Sequence, residues 1–170
     1  GARLIGGCCG TTPEFIKAIR EKIDGIKVPK IRSCMERVIT SGVKTLSLES
    51  HERLDIACID PRKDKNIQDE LKSGDMDAII DRVMDFSCDG CDALYINVDD
   101  AAGDEKLLAQ VVNTAQGYIK EPFIIETNNT VALDLALRIY KGKAGVIINE
   151  PNAVNTYELL AIASKYGSTI

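Results

Sequence analysis

The chain has 170 residues, 45% of them hydrophobic and 28% charged, with a formal net charge of −5. That length supports one hydrophobic core with appendages and is short of the roughly 250 residues of a complete eight-fold β/α barrel. The acidic balance argues against a nucleic-acid partner, which needs a basic face, and no apolar run approaches the roughly 20 residues that span a bilayer.

The first stretch with chemical character is Gly6-Gly7-Cys8-Cys9-Gly10-Thr11-Thr12-Pro13-Glu14. Leu4-Ile5 reads as the end of a strand, which would place two adjacent thiols where a β/α barrel keeps its active site. Neighbouring cysteines between flexible glycines can turn toward one thiophilic ion, so Cys8 and Cys9 are candidate zinc ligands. Thr12 reads as an N-cap with Pro13 at the first helical position, and Phe15, Ile16, Ile19 and Ile23 give a helix of about three turns. Residues 25–52 lose this periodicity and read as a connector with a short strand at Lys44–Leu48. The lone histidine, His51, falls there and is expected at the surface.

From Leu54 a pattern repeats. Runs rich in β-branched residues at Leu54–Ile59, Ala93–Val98, Phe123–Ile125 and Gly145–Ile148 are each followed by a helical period. Predicted helices are 65–72, closed by Gly74; one capped by Asp75 that buries Met76, Ile79, Ile80, Val83 and Met84; one capped by Asp104; one started by Asn128 or Asn129 and ended by Gly142; and one opened by Asn155 with Glu158 as a capping box. A further strand is expected near Ser168. Four β/α units in series predict an α/β fold, either half of a barrel or a doubly wound open sheet, which periodicity does not separate.

In both folds a ligand lies at the C-terminal strand ends. Those positions hold Asp60, Asn97 with Asp99 and Asp100, Glu126-Thr127-Asn128, and Asn149-Glu150. Amides and carboxylates in such a ring suit a heterocycle that offers donors and acceptors. The same residue types also cap helices and make turns, and Asp104, Asn128 and Asn155 are assigned to that duty. Cys88-Asp89-Gly90-Cys91 has metal or redox spacing but lies at a helix end with Gly90 as C-cap, so it reads as structural. The six cysteines are expected to be reduced, and Arg62-Lys63-Asp64-Lys65 reads as a solvated face.

Gly-Gly-Cys-Cys-Gly-Thr-Thr-Pro-Glu resembles the closing motif of the homocysteine-binding module of homocysteine methyltransferases, above all the cobalamin-dependent methionine synthases. The segment from Leu54 onward resembles the first half of the pterin-binding, dihydropteroate-synthase-like barrel that follows it in that family. Ile59-Asp60-Pro61 stands for the family's Ile-Asn-Pro, Ile96-Asn97-Val98 for part of its Asp-x-Asn, Phe123-Ile124-Ile125-Glu126 for its third-strand Asp-Ser and Val146-Ile147-Ile148-Asn149 for its Asn-Ser. Departures are Ile56-Ala57-Cys58 in place of Gly-Glu-Arg, Tyr95 in place of aspartate, Glu126 in place of aspartate, and Thr127 and Glu150 in place of serines.

The resemblance implies a homocysteine-module end at 1–24, a connector at 25–52 and a pterin half-barrel at 53–170. It implies zinc on Cys8 and Cys9, a pterin site at Asp60, Asn97, Glu126 and Asn149, and no catalytic residue within the chain. Methyltetrahydrofolate, homocysteine and cobalamin carried on another module would be its cofactors and partners, in the cytoplasm. The alternatives are a stand-alone pterin- or corrinoid-linked binding module and a non-catalytic assembly segment. An open half-barrel face predicts a homodimer.

Overall fold

A computed structural model describes residues 4–27, 37–49, 53–101, 104–149 and 154–170. It resolves into two compact units, Gly1–Met35 and Glu36–Ile170.

The first unit is built on α1 (Pro13–Ile23), with Pro13 at its start and Thr12 at the N-cap position. Thr12 caps through its carbonyl alone: it accepts from Ile16 N at 3.3 Å, and its side chain makes no cap bond. Leu4-Ile5 is not a strand. Among the described residues no strand lies beside these two apolar residues to give them a ladder, and Leu4 is 94% exposed. The helix buries none of its residues, and Phe15 is 61% exposed.

The second unit opens with a hairpin, β1 (Val38–Thr40) and β2 (Thr45–Ser47). Four parallel strands follow, β3 (Ile56–Ile59), β4 (Ala93–Ile96), β5 (Phe123–Glu126) and β6 (Gly145–Ile147), in the spatial order of the sequence. Between them run α2 (Lys65–Ser73), α3 (Met76–Asp89), α4 (Leu107–Ala115) and α5 (Thr130–Ile139), and α6 (Thr156–Lys165) follows β6. Strand order never reverses and, among the described residues, there is no switch point of the doubly wound kind. Thr169 then bridges Gly145 in parallel, beginning a fifth position beyond β6.

The helices share one core with one face of the sheet. Ile59, Leu94, Ile96, Phe123, Ile125 and Val146 pack with Ile79, Val83, Leu108, Val111, Leu133, Leu137 and Leu159. Because side chains alternate along a strand, Ala93 and Ile124 face the other way and join Ile39 and Leu46 of the hairpin. Gly145 has no side chain there, and Ile39 fits against it: a Cβ on Gly145 would stand 3.3 Å from the Ile39 methyl.

The hairpin is stitched to the segments that lead into the strands. Thr40 N donates to Lys143 O at 2.8 Å, Ser41 Oγ to Lys120 O at 2.5 Å and Thr169 Oγ1 to Val38 O at 2.6 Å. Lys44 pairs with Glu121, and Tyr140 Oη donates to Thr40 O at 2.9 Å. The expected short strand near Lys44 is therefore β2; its partner β1 has no signal in the sequence.

Helix ends follow the local chemistry in part. Asp75 accepts from Asp77 N and Ala78 N, Asn129 from Val131 N and Ala132 N, and Gly74 and Gly90 take the left-handed turn at φ 72° and 82°. Four expectations fail. Helix α5 ends at Ile139 with Tyr140 at its C-cap, short of Gly142. Asp104 binds Lys106 N in a turn, so α4 begins only at Leu107. Asn155 forms no capping box: its side chain makes no cap bond, and its amide nitrogen donates to Asn128 O. Met84 lies 49% exposed, outside the buried stripe of α3 made by Ile79 and Val83. Cys91 is buried and Cys88 exposed, with Gly90 turning the chain between them. His51 and Cys34 lie outside the described residues.

Candidate functional site

In the first unit, Cys8 and Cys9 sit in a turn closed at both ends by one residue. Thr11 N donates to Cys8 O, and Cys8 N donates to Thr11 Oγ1, each at 3.0 Å. Gly10 adopts φ 84°, a left-handed conformation that a side chain would strain. Both thiols are exposed, with their sulfurs 3.8 Å apart. Hydrogen bonds from the Cys9 backbone and thiol hold the Cys8 thiol below its ordinary range. Among the described residues no group of three His, Cys, Asp or Glu side chains gathers to hold a metal.

In the second unit the C-terminal strand ends converge on one network. Asp60 follows β3 directly, and Pro61 turns the chain so that Arg62 N donates to Asp60 Oδ1 at 2.9 Å. The Arg62 guanidinium then curls back on the same carboxylate, Nε to Oδ1 at 2.9 Å and Nη2 to Oδ2 at 2.8 Å. Its third nitrogen, Nη1, donates to Glu126 Oε1 at 2.8 Å, two strands away. Tyr95 and Asn97, two residues apart and so on one side of the strand line, both reach Glu126. Tyr95 Oη donates to Oε2 at 2.5 Å and Asn97 Nδ2 to Oε1 at 3.0 Å. Asn149 also hydrogen-bonds Glu126.

All four strand-end positions singled out from sequence are thus gathered. Asp60, Asn97 and Glu126 are 1%, 2% and 8% exposed; Asn149 is at the surface. Burial by itself would raise the Glu126 carboxyl, but hydrogen bonds from Tyr95, Arg62 and Asn149 outweigh it and leave it below the ordinary range. At Asp60, burial is likewise outweighed by the Arg62 side chain and backbone. Burial and the Glu126 carboxylate raise the Tyr95 phenol, so it stays a neutral donor.

Arg62 and Tyr95 were not among the candidates. The run 62–65 is not a uniform solvated face: Arg62 turns inward, whereas Lys63 lies over the Tyr95 ring and near Cys58, at 3.6 Å. The usable signal was Asp-Pro directly after a strand, a turn whose carboxylate binds the backbone two residues on. A second cluster stands beside the first: Asp99 accepts from Thr127 Oγ1 at 2.5 Å and from Asn128 N at 2.8 Å, tying the ends of β4 and β5.

As it stands the network is chemically closed. Both Asp60 oxygens and both Glu126 oxygens already accept hydrogen bonds, three of the bonds from one guanidinium. No helix among the described residues is long and apolar enough to cross a membrane.

Comparison with known proteins adds two findings. Residues 1–23 match the family model described as homocysteine S-methyltransferase. The chain is also 24% identical, over 178 aligned positions, to methionine synthase of Mycobacterium tuberculosis; the alignment covers 100% of this chain and 14% of that protein. The chain therefore spans about one seventh of that relative's length.

Proposed function

We propose that this chain is a section of a methionine-synthase-like methyltransferase. Its Cys8-Cys9 end would belong to the homocysteine and zinc module, and residues 53–170 to the first half of a pterin-binding-type barrel. One observation carries the reading: a single alignment runs through both the homocysteine S-methyltransferase match and the parallel sheet whose strand ends gather Asp60, Asn97, Glu126 and Asn149. Sequential strand order and helices packed on one face of the sheet support a barrel segment over an open doubly wound sheet.

The sulfur pair fits half of a zinc site. Two thiolates at about 2.3 Å from zinc in a tetrahedral arrangement lie about 3.8 Å apart, which is the separation of Cys8 and Cys9. A catalytic zinc site takes three protein ligands, and no third is gathered among the described residues. Among the described residues the site is incomplete, and no step is assigned to it. A bound zinc ion would lower the pKa of a substrate thiol such as that of homocysteine. The role of the chain's own residues is to hold two sulfurs side by side, through the Thr11 turn and Gly10.

In the second unit, Asn97 and Asn149 are the amides able to pair with a pterin's donors and acceptors, and Glu126 is the carboxylate able to receive its donor edge. Because Glu126 is already engaged, the reading includes weak binding of methyltetrahydrofolate, above micromolar, and no methyl transfer by the chain alone.

Cobalt(II) titration tests the metal half. The expected result is one loosely held ion per chain, with thiolate-to-metal charge-transfer absorption that strengthens with added homocysteine and disappears in both Cys8→Ser and Cys9→Ser. Absorption unchanged in both variants, or one tightly held ion without homocysteine, would overturn the assignment.

A further inference from the structure

We propose that the Asp60 and Glu126 carboxylates form a receptor for a planar N–C–N fork, and that the Arg62 guanidinium occupies it as a built-in competitor of the ligand. The ligand class is a ring carrying a 2-amino-4-oxopyrimidine edge, an identification that rests on the pterin reading above.

The geometry carries the argument. A guanidinium presents coplanar N–H groups at fixed spacing, and a carboxylate receives two of them side by side. Arg62 uses Nε and Nη2 in this way on Asp60 and extends Nη1 to Glu126. The amino group and neighbouring ring N–H of a 2-amino-4-oxopyrimidine have the same fork shape, so the acceptor that suits one suits the other. Around Glu126, Asn97 and Tyr95 are fixed by the sheet, and Asn97 Oδ1 is held by Asp99 N at 3.0 Å.

The competitor stands on different footing from its receptor. Asp60 and Glu126 have side chains 0% and 11% exposed, whereas that of Arg62 is 41% exposed. It springs from the turn after β3 and not from a strand. Its side chain can leave Glu126 by rotation alone, with no sheet hydrogen bond broken. A tethered occupant acts at millimolar or higher effective concentration, and a site open only a small fraction of the time binds free ligand more weakly by that fraction. The strand ends therefore hold a site that is formed but filled from within.

The test uses the full chain, its Arg62→Ala and Arg62→Lys variants, and two probes. The first is 6-methylpterin by calorimetry; the second is methylguanidinium by thermal shift, with methylammonium as the control cation. For Arg62→Ala the expected results are pterin affinity at least about tenfold above wild type, and a melting temperature raised by methylguanidinium but not by methylammonium, with no such rise in wild type. Arg62→Lys keeps the charge without the fork and should gain pterin affinity by a smaller factor. Methylguanidinium rescue without any pterin binding would uphold the receptor and sink the pterin reading. A folded Arg62→Ala that responds to neither probe would overturn the proposal. Should Arg62→Ala fail to fold, pterin affinity in Arg62→Lys no higher than wild type would overturn it as well.

Discussion

Replacing Tyr140 by phenylalanine removes one oxygen and isolates what ties the hairpin to the sheet. The Tyr140 hydroxyl accepts from Phe123 N and donates to Thr40 O, both at 2.9 Å, while its ring stacks on Phe123 with centroids 4.9 Å apart. Burial pushes its pKa up to about 12, so it remains a neutral donor at any working pH. Phenylalanine keeps the ring, the stack and the buried area. What is lost is a partner for the buried Phe123 N–H, costing about 1–3 kcal/mol, and the bond to Thr40, about 0.5–1.5 kcal/mol. Urea unfolding should show a destabilisation of about 2–4 kcal/mol with an unchanged m-value, since no exposed area changes. Melting temperature should fall on the order of 10 °C. A midpoint within about 0.5 kcal/mol of wild type would refute the claim that this hydroxyl holds hairpin, α5 and β5 together.

Gly142→Ala should loosen the same junction, because the new Cβ would lie 2.1 Å from Thr40 O and 2.8 Å from Thr40 C, backbone atoms that cannot rotate away. Faster amide exchange at Thr40 and Lys143 is the readout, with Gly42→Ala, whose nearest neighbour is at 3.5 Å, as the tolerated control. On acidification, Asp60, Glu126 and Asp134 act in one direction. All three carboxyls lie below their ordinary values, Asp134 at about 2 through hydrogen bonds from Lys165 and Arg138. A depressed carboxyl stabilises the fold fully above its unfolded pKa, and that contribution is lost as pH falls through the folded one. The urea midpoint should be level from pH 7 to about 5 and fall below about 4.5. Glu126→Gln should start lower and fall less steeply, its deficit narrowing toward pH 3; a deficit independent of pH would show that the Glu126 charge is not what the network uses.

The sequence made some elements legible because their causes are local. Asp75 and Gly74 are adjacent to the helices they bound, and the β-branched runs at Ile56, Ala93, Phe123 and Gly145 carry their burial in their composition. Strand ends could be found by counting, which is why Asp60, Asn97, Glu126 and Asn149 were all located. The misses have non-local causes. Val38-Ile39-Thr40 is too short to show a period, and it is a strand because Lys143, Tyr140 and Thr169 bind it from far along the chain. Arg62 hides in a charged run, and what aims its guanidinium at the strand ends is Asp60 beside it together with Glu126 two strands away. Asn155 has the sequence of a cap, but its side chain makes no cap bond and reaches instead to Asn128 O, 27 residues away. Leu4-Ile5 has the composition of a strand and, among the described residues, no neighbour to pair with.

The long reach of the hairpin sets an order on how the second unit can be made. Its bonds close gaps of 100 residues at Tyr140 and 131 residues at Thr169, so contact order is high and docking is completed only when Thr169 arrives. At ribosomal rates of about 5–20 residues per second, roughly 7–26 s separate the synthesis of Val38 from that of Thr169. Through that interval the sheet can pair strand by strand, and the cluster around Glu126 can assemble once Asn149 emerges. Ala93, Ile124 and the bare backbone of Gly145 meanwhile stay uncovered on the opposite face from the helices. The nascent chain therefore passes through a state in which its strand-end cluster is built before its floor is closed, and that apolar floor is the surface most open to premature association during synthesis.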